Sequence, residues 1–185
     1  KNRKIYEKVN LLRNHGMQKN KKIVKDYGLW FYKMIALGYN YRITDIQCAL
    51  GISQLKKISK FLKKRRKVAK IYNKLFEKNK NLSTPFVSKN VKHAYHLYSI
   101  QINFKKIKIN KKNLFKEFLK KGVKLQVHYI PIHLQPYYKK KYGFKLGDFP
   151  NSEKFYSQQV SLPIYYSIKD HEILKVANLI NQFVR

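Results

Sequence analysis

The sequence is short of acid, arginine, cysteine, glycine and proline, and each shortage excludes something. Cys48 is the single cysteine. An internal disulfide is therefore impossible, and a reducing compartment fits. The seven glycines form no phosphate-gripping Gly-rich loop. There is also no serine nucleophile elbow and no paired carboxylate motif. No apolar run is long enough to cross a membrane, and the Lys- and Asn-rich start carries no apolar signal core. These absences predict a cytoplasmic chain with no membrane partner. Nine acidic residues face 42 basic ones, a net charge of +33. Charge of one sign alone predicts a polyanion partner. Yet 36 of the basic residues are Lys and only six are Arg. A dedicated nucleic-acid reader draws on Arg for bidentate contacts. Lys, Asn, Ile, Tyr and Phe are the residues of A/T-rich codons, so compositional drift yields the same charge without selection for nucleic acid.

What is present suffices for a core: 185 residues, 44% hydrophobic, enough for one domain and the edge of a second. A start at Lys1 rather than Met reads as a piece of a longer or processed protein. Ile5, Val9 and Leu12 recur at helical spacing, and Gly16 supplies a left-handed stop. Lys19 to Lys25 reads as an exposed loop. Gly28 to Tyr32 fits either a short strand or a packed loop. Thr44-Asp45-Ile46-Gln47 forms a capping box. From Ile46 an i, i+3, i+4 rhythm continues through Leu50, Ile58, Phe61, Leu62, Arg65, Val68, Ala69, Tyr72 and Phe76, one helix of roughly 30 residues. Gly51 within it suggests a close packing contact. Beyond Ser83-Thr84-Pro85 the pattern alternates. Residues 95–104 predict a strand with His96, Tyr98, Ile100 and Ile102 on one face. Residues 110–121 predict a helix with Leu114, Phe115, Phe118 and Leu119 inward and Gly122 as its stop. Residues 123–130 predict a strand, 153–160 a helix and 161–165 a strand. Ser167 to Asp170 caps a last helix burying Ile173, Leu174, Ala177, Ile180 and Phe183. The sum is α/β, a small sheet covered by helices.

Two segments could carry chemistry. Gly38-Tyr39-Asn40-Tyr41-Arg42 directly precedes the capped helix, near the end that favours anions such as phosphate. Asn40 offers an amide and Arg42 a charged fork; the plain alternative is a turn leading into a helix. His128-Tyr129-Ile130-Pro131-Ile132-His133-Leu134-Gln135-Pro136-Tyr137-Tyr138 sets two His, three Tyr and a Gln in a proline-bounded loop. His128 and His133 suit an acid, a base or a hydrogen-bond donor. Zinc is disfavoured, with no Cys or acid at ligand spacing, and aromatic packing around a Pro-rich connection remains open. Arg65 and Arg66 read as surface or interface groups, and His93 and His96 as structural.

Leu11 to Met17, then Gly38 to Leu55, resemble the DegT/DnrJ/EryC1/StrS aminotransferases. His128 to Tyr138 and Ser161-Leu162-Pro163 follow in the family's order and spacing, so the resemblance covers essentially the whole chain. Lys124 to Tyr129 looks most like the enzymes that aminate a UDP-linked 4-keto-6-deoxy sugar on the way to pseudaminic acid, the UDP-4-amino-4,6-dideoxy-N-acetyl-altrosamine transaminases. The resemblance implies the C-terminal part of a fold-type-I pyridoxal 5'-phosphate (PLP) enzyme. Residues 1–43 would be the tail of the large cofactor domain, 44–78 a long interdomain helix and 79–185 a small C-terminal α/β domain. It further implies a homodimer with active sites at the interface, a nucleotide-sugar substrate and glutamate as amino donor. Asn40 and Arg42 would bind cofactor, with Asn40 reaching the phosphate held by the partner subunit. His128, Tyr129 and His133 would bind the sugar nucleotide. The family's Schiff-base lysine falls ahead of the segment matching Lys1 to Met17, so no catalytic lysine is expected in this chain and the chain alone is expected to be inactive. Two readings compete: a cationic polyanion binder, and a non-aminating relative of the same family.

Overall fold

A computed structural model describes residues 2–185. It divides into two compact units, one running to Lys56 and the other from Lys57 to Arg185.

The first unit opens with α1 (Arg3–Leu12), whose cap Asn2 accepts the Ile5 N–H at 3.3 Å. Gly16, at φ +68°, ends this region in the left-handed conformation, and its N–H bonds Leu11 O at 2.9 Å. The glycine serves a second purpose that local spacing does not reveal. A Cβ on Gly16 would lie 1.8 Å from Ala36 O, and one on Gly38 would lie 2.2 Å from Gly16 N. Two missing side chains thus let two backbone stretches touch. His15 N–H bonds Tyr39 O (2.9 Å), Tyr39 N–H bonds Leu12 O (2.7 Å) and Tyr41 N–H bonds Arg13 O (2.9 Å). Beside them β1 (Met17–Gln18) pairs antiparallel with β2 (Lys33–Met34).

The loop expected over 19–25 is instead largely helix. α2 (Lys21–Tyr27) starts where Asn20 Oδ1 accepts the Ile23 N–H at 2.9 Å, and it ends at Gly28. The lysine run hid a cap–helix–glycine pattern. Of the two readings of Gly28 to Tyr32 the strand fails, since the short strand begins at Lys33; the segment is a loop in which Phe31 stacks on Tyr27 with centroids 4.5 Å apart and Trp30 is exposed.

α3 (Asp45–Phe76) spans 32 residues, and the boundary between the units falls within it. Its capping box forms as the sequence predicts. Thr44 N–H bonds Gln47 Oε1 at 3.0 Å, and Gln47 N–H bonds Thr44 Oγ1 at 3.3 Å. Its apolar stripe is buried only toward the C-terminal end, at Val68, Ala69, Tyr72 and Phe76. Ile46, Leu50 and Ile58 face solvent, and a Cβ on Gly51 would meet nothing within 4 Å. The stripe is real; this chain supplies a partner for only half of it.

The second unit is built on an antiparallel sheet ordered β3 (Leu82–Ser83), β4 (Tyr98–Ile102), β5 (Gln159–Leu162). β4 is central and alternates: Tyr98, Ile100 and Ile102 are buried while Ser99 and Gln101 are half-buried. One cluster joins them to Tyr72 and Phe76 of α3, to Leu114 and Phe118 of α4 (Lys111–Lys120), and to Ile173, Ala177 and Ile180 of α7 (Asp170–Phe183). The two buried tyrosines end in bonds, Tyr72 Oη to Pro163 O (3.0 Å) and Tyr98 Oη to Asn73 Oδ1 (2.6 Å). Burial raises both phenol pKa values.

Several local expectations shift here. The strand begins at Tyr98, leaving His96 exposed; Leu119 and Leu174 also face outward. α7 is capped two residues late, with Glu172 accepting the Lys169 N–H at 2.7 Å. Arg65 is not a surface group. Its guanidinium donates to Tyr95 O, His96 O and Ile164 O at 2.9–3.1 Å, pinning the entry to β4 and the exit from β5. Residues 123–130 do not form the expected strand. Val123 and Leu125 are buried, but only Gln126 pairs, with Ser161. The next backbone donor facing β5, His128 N–H, bonds the Gln159 side chain (2.9 Å), so the ladder stops there. Beyond Pro131 a 3-10 turn (Ile132–Leu134) leads into α5 (Pro136–Tyr142) and then α6 (Pro150–Gln158). Pro136 begins a helix here, as proline at a first helical turn often does.

Candidate functional site

The two segments singled out by sequence lie in different units, and each has its own geometry. In the first unit Asn14 pairs opposite Asn40 in an antiparallel bridge, which places both on one face. Arg42 lies two residues on, on that same face, and donates to Asn14 Oδ1 at 2.7 Å. The alternate side chains, Tyr39 and Tyr41, stack on each other with centroids 4.9 Å apart. The result is a polar cluster, half-buried Asn14 with exposed Asn40 and Arg42, immediately ahead of the α3 N-terminus. Amide, guanidinium and helix end are donors suited to a phosphate group. Asn14 was legible only as the end of a helix. Its place here follows from the Gly16–Gly38 contact, which no local spacing encodes.

In the second unit the loop from His128 to Tyr138 is anchored at two histidines. His128 Nδ1 lies 2.9 Å from Ser161 Oγ on β5. Gln159, fully buried beside it, sends its Nε2 to Ser99 Oγ (2.8 Å) and to Ser161 Oγ (2.6 Å), and the two serine oxygens are 2.9 Å apart. Tyr129 is exposed, its ring edge-on to His128 at 4.8 Å. His133 is buried, and its Nε2 lies 2.8 Å from Glu153 Oε1. Glu153 also accepts the Gly147 N–H (2.8 Å) and the Phe149 N–H (3.4 Å). The His133 hydrogen bond, aided by these backbone donors, holds its carboxyl below the usual carboxylate range. His133 therefore faces inward and ties the loop to α6, whereas His128 and Tyr129 sit nearer solvent. Next to them an open cleft of about 460 Å³ is walled by Tyr129, Ile132, Phe144, Phe149 and Phe155. An apolar wall with a few fixed polar groups is the usual make-up of a small-molecule site. Among the described residues no group of three His, Cys, Asp or Glu is placed to hold a metal ion. Ser161 was read only as part of a family motif, and Glu153, Gln159 and Ser99 were given no site role. A lone acid three residues into a proline-started helix is the one signal that marked Glu153.

Comparison with known proteins adds the context. The chain is 44% identical over 184 residues to an uncharacterised protein of Methanocaldococcus jannaschii, covering 99% of this chain and 48% of that one. It is 39% identical to a UDP-4-amino-4,6-dideoxy-N-acetyl-β-L-altrosamine transaminase of Campylobacter jejuni, over 94% of this chain and 44% of the relative. Among solved structures it is similar to Helicobacter pylori PseC, described as an aminotransferase involved in pseudaminic acid biosynthesis. There the TM-score is 0.83 at 28% identity, over 99% of this chain and 47% of that one. The chain thus spans about half the length of these relatives. The sequence profile described as the DegT/DnrJ/EryC1/StrS aminotransferase family matches residues 1–181, and the chain belongs to that family.

Proposed function

We propose that the chain is the C-terminal part of a PLP-dependent aminotransferase. It would move an amino group from glutamate to a nucleotide-linked 4-keto-6-deoxy sugar, a UDP-linked sugar of the pseudaminic acid type in the first instance. The observation that carries this is the 39% identity to the Campylobacter transaminase across 94% of the chain. In this reading the protein works as a cytoplasmic homodimer, residues 1–43 are the tail of the large cofactor domain, and the helix from residue 44 links it to the C-terminal domain.

The residues present fit the phosphate of PLP and only the phosphate. Arg42 brings a permanent positive charge, Asn40 an exposed amide, and Asn14 holds the guanidinium from the side. Bound PLP supplies the electron sink for amino transfer. This chain's share is positioning. Asn40 and Arg42 hold the phosphate, with Asn40 serving the partner subunit's site. Tyr129, on the wall of the aromatic cleft, and His128 beside it meet the sugar nucleotide, and His133, locked to Glu153, keeps the loop in shape.

The test is glutamate-dependent formation of 2-oxoglutarate by the intact protein, supplied with PLP and a UDP-, dTDP- or GDP-linked 4-keto-6-deoxy sugar. Turnover with the UDP sugar alone supports the full reading. Turnover only with another nucleotide keeps the reaction and corrects the substrate. No turnover with any of the three, in protein that binds PLP, overturns it. Asn40→Ala is expected to weaken PLP retention about tenfold, the loss of a hydrogen bond to a charged group.

A further inference from the structure

The helix α6 supplies Ser152 and Phe155 to one side of the aromatic cleft, yet it has no buried residue of its own. Its half-buried positions are Glu153, Tyr156 and Gln158. A nine-residue helix without a buried apolar stripe gains little from packing, so polar contacts have to hold it. Glu153 makes one set, to His133, to the Gly147 N–H and to the Phe149 N–H. The other set comes from α4.

Lys111 opens α4 and is half-buried. Its ammonium donates to Tyr156 O and lies 4.8 Å from the centre of the Tyr156 ring. Tyr156 sits in the last turn of α6, where carbonyls have no partner within the helix. A cation suits both that end of a helix and an aromatic face. At its own place in the chain Lys111 is a cost. The first position of α4 disfavours a positive charge, and burial lowers the Lys111 pKa to about 8. An apolar side chain of similar length would fill the space without either cost. What only the ammonium provides is a grip on the end of α6, one turn beyond Glu153 on the same helix face.

We infer that Lys111 is a positioning residue for the cleft: with Glu153 it clamps α6, and so holds the wall formed by Ser152 and Phe155 against the loop that carries Tyr129 and His133. That the cleft takes the sugar nucleotide rests on the reading above; the clamp does not. The clamp is limited at alkaline pH. Burial is the cause of the lowered Lys111 value, with no charge on α4, α6 or β4 adding to it. Tyr156 is the titratable side chain that faces it from α6; Lys112 and Lys154 are exposed, and Tyr98 of β4 is bonded to Asn73. The charged clamp is therefore present below about pH 8 and fades as pH rises through that value. The stability cost of burying the charge has the same limit. It is full below about 8 and is relieved as pH rises toward the ordinary lysine value of 10.5.

The experiment uses the intact protein with the variants Lys111→Met, Lys111→Arg and Tyr129→Ala. Amide hydrogen exchange across residues 150–158 reads the clamp. At pH 7 Lys111→Met should speed exchange there about fivefold, one hydrogen bond's worth, and Lys111→Arg should hold it near wild type. The urea midpoint of Lys111→Met should not fall, because the cost of the buried charge leaves with the bond. In turnover Lys111→Met should raise KM for the sugar nucleotide about fivefold, with KM for glutamate unchanged. The wild-type KM for the sugar nucleotide should climb as pH passes about 8, and Lys111→Arg, whose charge persists, should not follow it. Unchanged exchange in Lys111→Met overturns the clamp. If exchange rises and Tyr129→Ala raises the sugar-nucleotide KM while Lys111→Met does not, Lys111 is structural only and the positioning role falls. If exchange rises and neither variant moves that KM, the clamp stands and the sugar-nucleotide reading of the cleft falls.

Discussion

The unit running to Lys56 and the unit from Lys57 onward are built from similar residues and are buried very differently. Among the described residues of the first, Ile23 is the one large apolar side chain that is buried, while Leu37 and Ile46 are 85% and 84% exposed and Leu29, Trp30, Leu50 and Leu55 also face solvent. In the second, twenty side chains from α3, β4, α4, β5 and α7 and their neighbouring segments close into one core. Isolated exposed leucines are ordinary; a contiguous sequence stretch of them is not. The second unit carries its own stabilising surface. The first is held by backbone contacts through Gly16 and Gly38 and leaves its apolar side chains uncovered.

The comparison breaks most decisively in the core of the second unit. Ile100→Ala in the centre of β4 should cost about 2–5 kcal/mol, read as a lowered urea midpoint in this chain; an unchanged midpoint would mean that the sheet does not hold the unit together. Arg65→Lys comes next. All three carbonyls converge on one guanidinium nitrogen, Nη1, and a lysine ammonium stops one bond short of that point, so a loss of about 2 kcal/mol is expected from the acceptors left unpaired.

A third variant, Glu153→Gln, tests the loop anchor through pH. The Glu153 carboxyl is lowered in the folded protein, chiefly by His133. Its contribution is thus fully present above the ordinary carboxyl value of 4.5 and fades as pH falls through the folded value. The stability gap between wild type and Glu153→Gln should be level at neutral pH and close in acid. A gap that widens in acid contradicts the assignment. The smallest effect belongs to the first unit. Ile46→Ser should change the stability of this chain by no more than about 0.5 kcal/mol. In the intact protein the same substitution should be clearly destabilising, and Trp30 emission should shift to the blue relative to this chain. Equal behaviour in the two would show that the exposed stripe is never covered.

Local signals read well where the cause is local. The Thr44 capping box, the α4 start at Asn110, the period-two burial of β4 and the glycine stop at Gly16 were all legible because each depends on residues within four positions. The Lys19–Lys25 loop became a helix because its cap, Asn20, and its stop, Gly28, were hidden in a run of charge. Residues 123–130 look like a strand by composition, and only the Gln159 side chain, far along the sequence, removes them from the sheet. Arg65 looked like surface because an amphipathic stripe cannot show that three carbonyls converge on it.

The candidate residues followed the same division. Asn40, Arg42, His128, Tyr129 and His133 were visible from residue type and from order along the chain. That Asn14, Ser161, Gln159 and Glu153 are their partners was not, because a partner is a matter of distance in space. By itself the sequence determined the family, the α/β character, the long capped helix and the two segments that bear chemistry, since these are written in periodicity and in short motifs. Only the tertiary structure decided which half of the α3 stripe is buried, which histidine faces inward and which serine lies against His128. Those outcomes depend on contacts between residues tens of positions apart, whose strength comes from desolvation and hydrogen-bond geometry that no local pattern records.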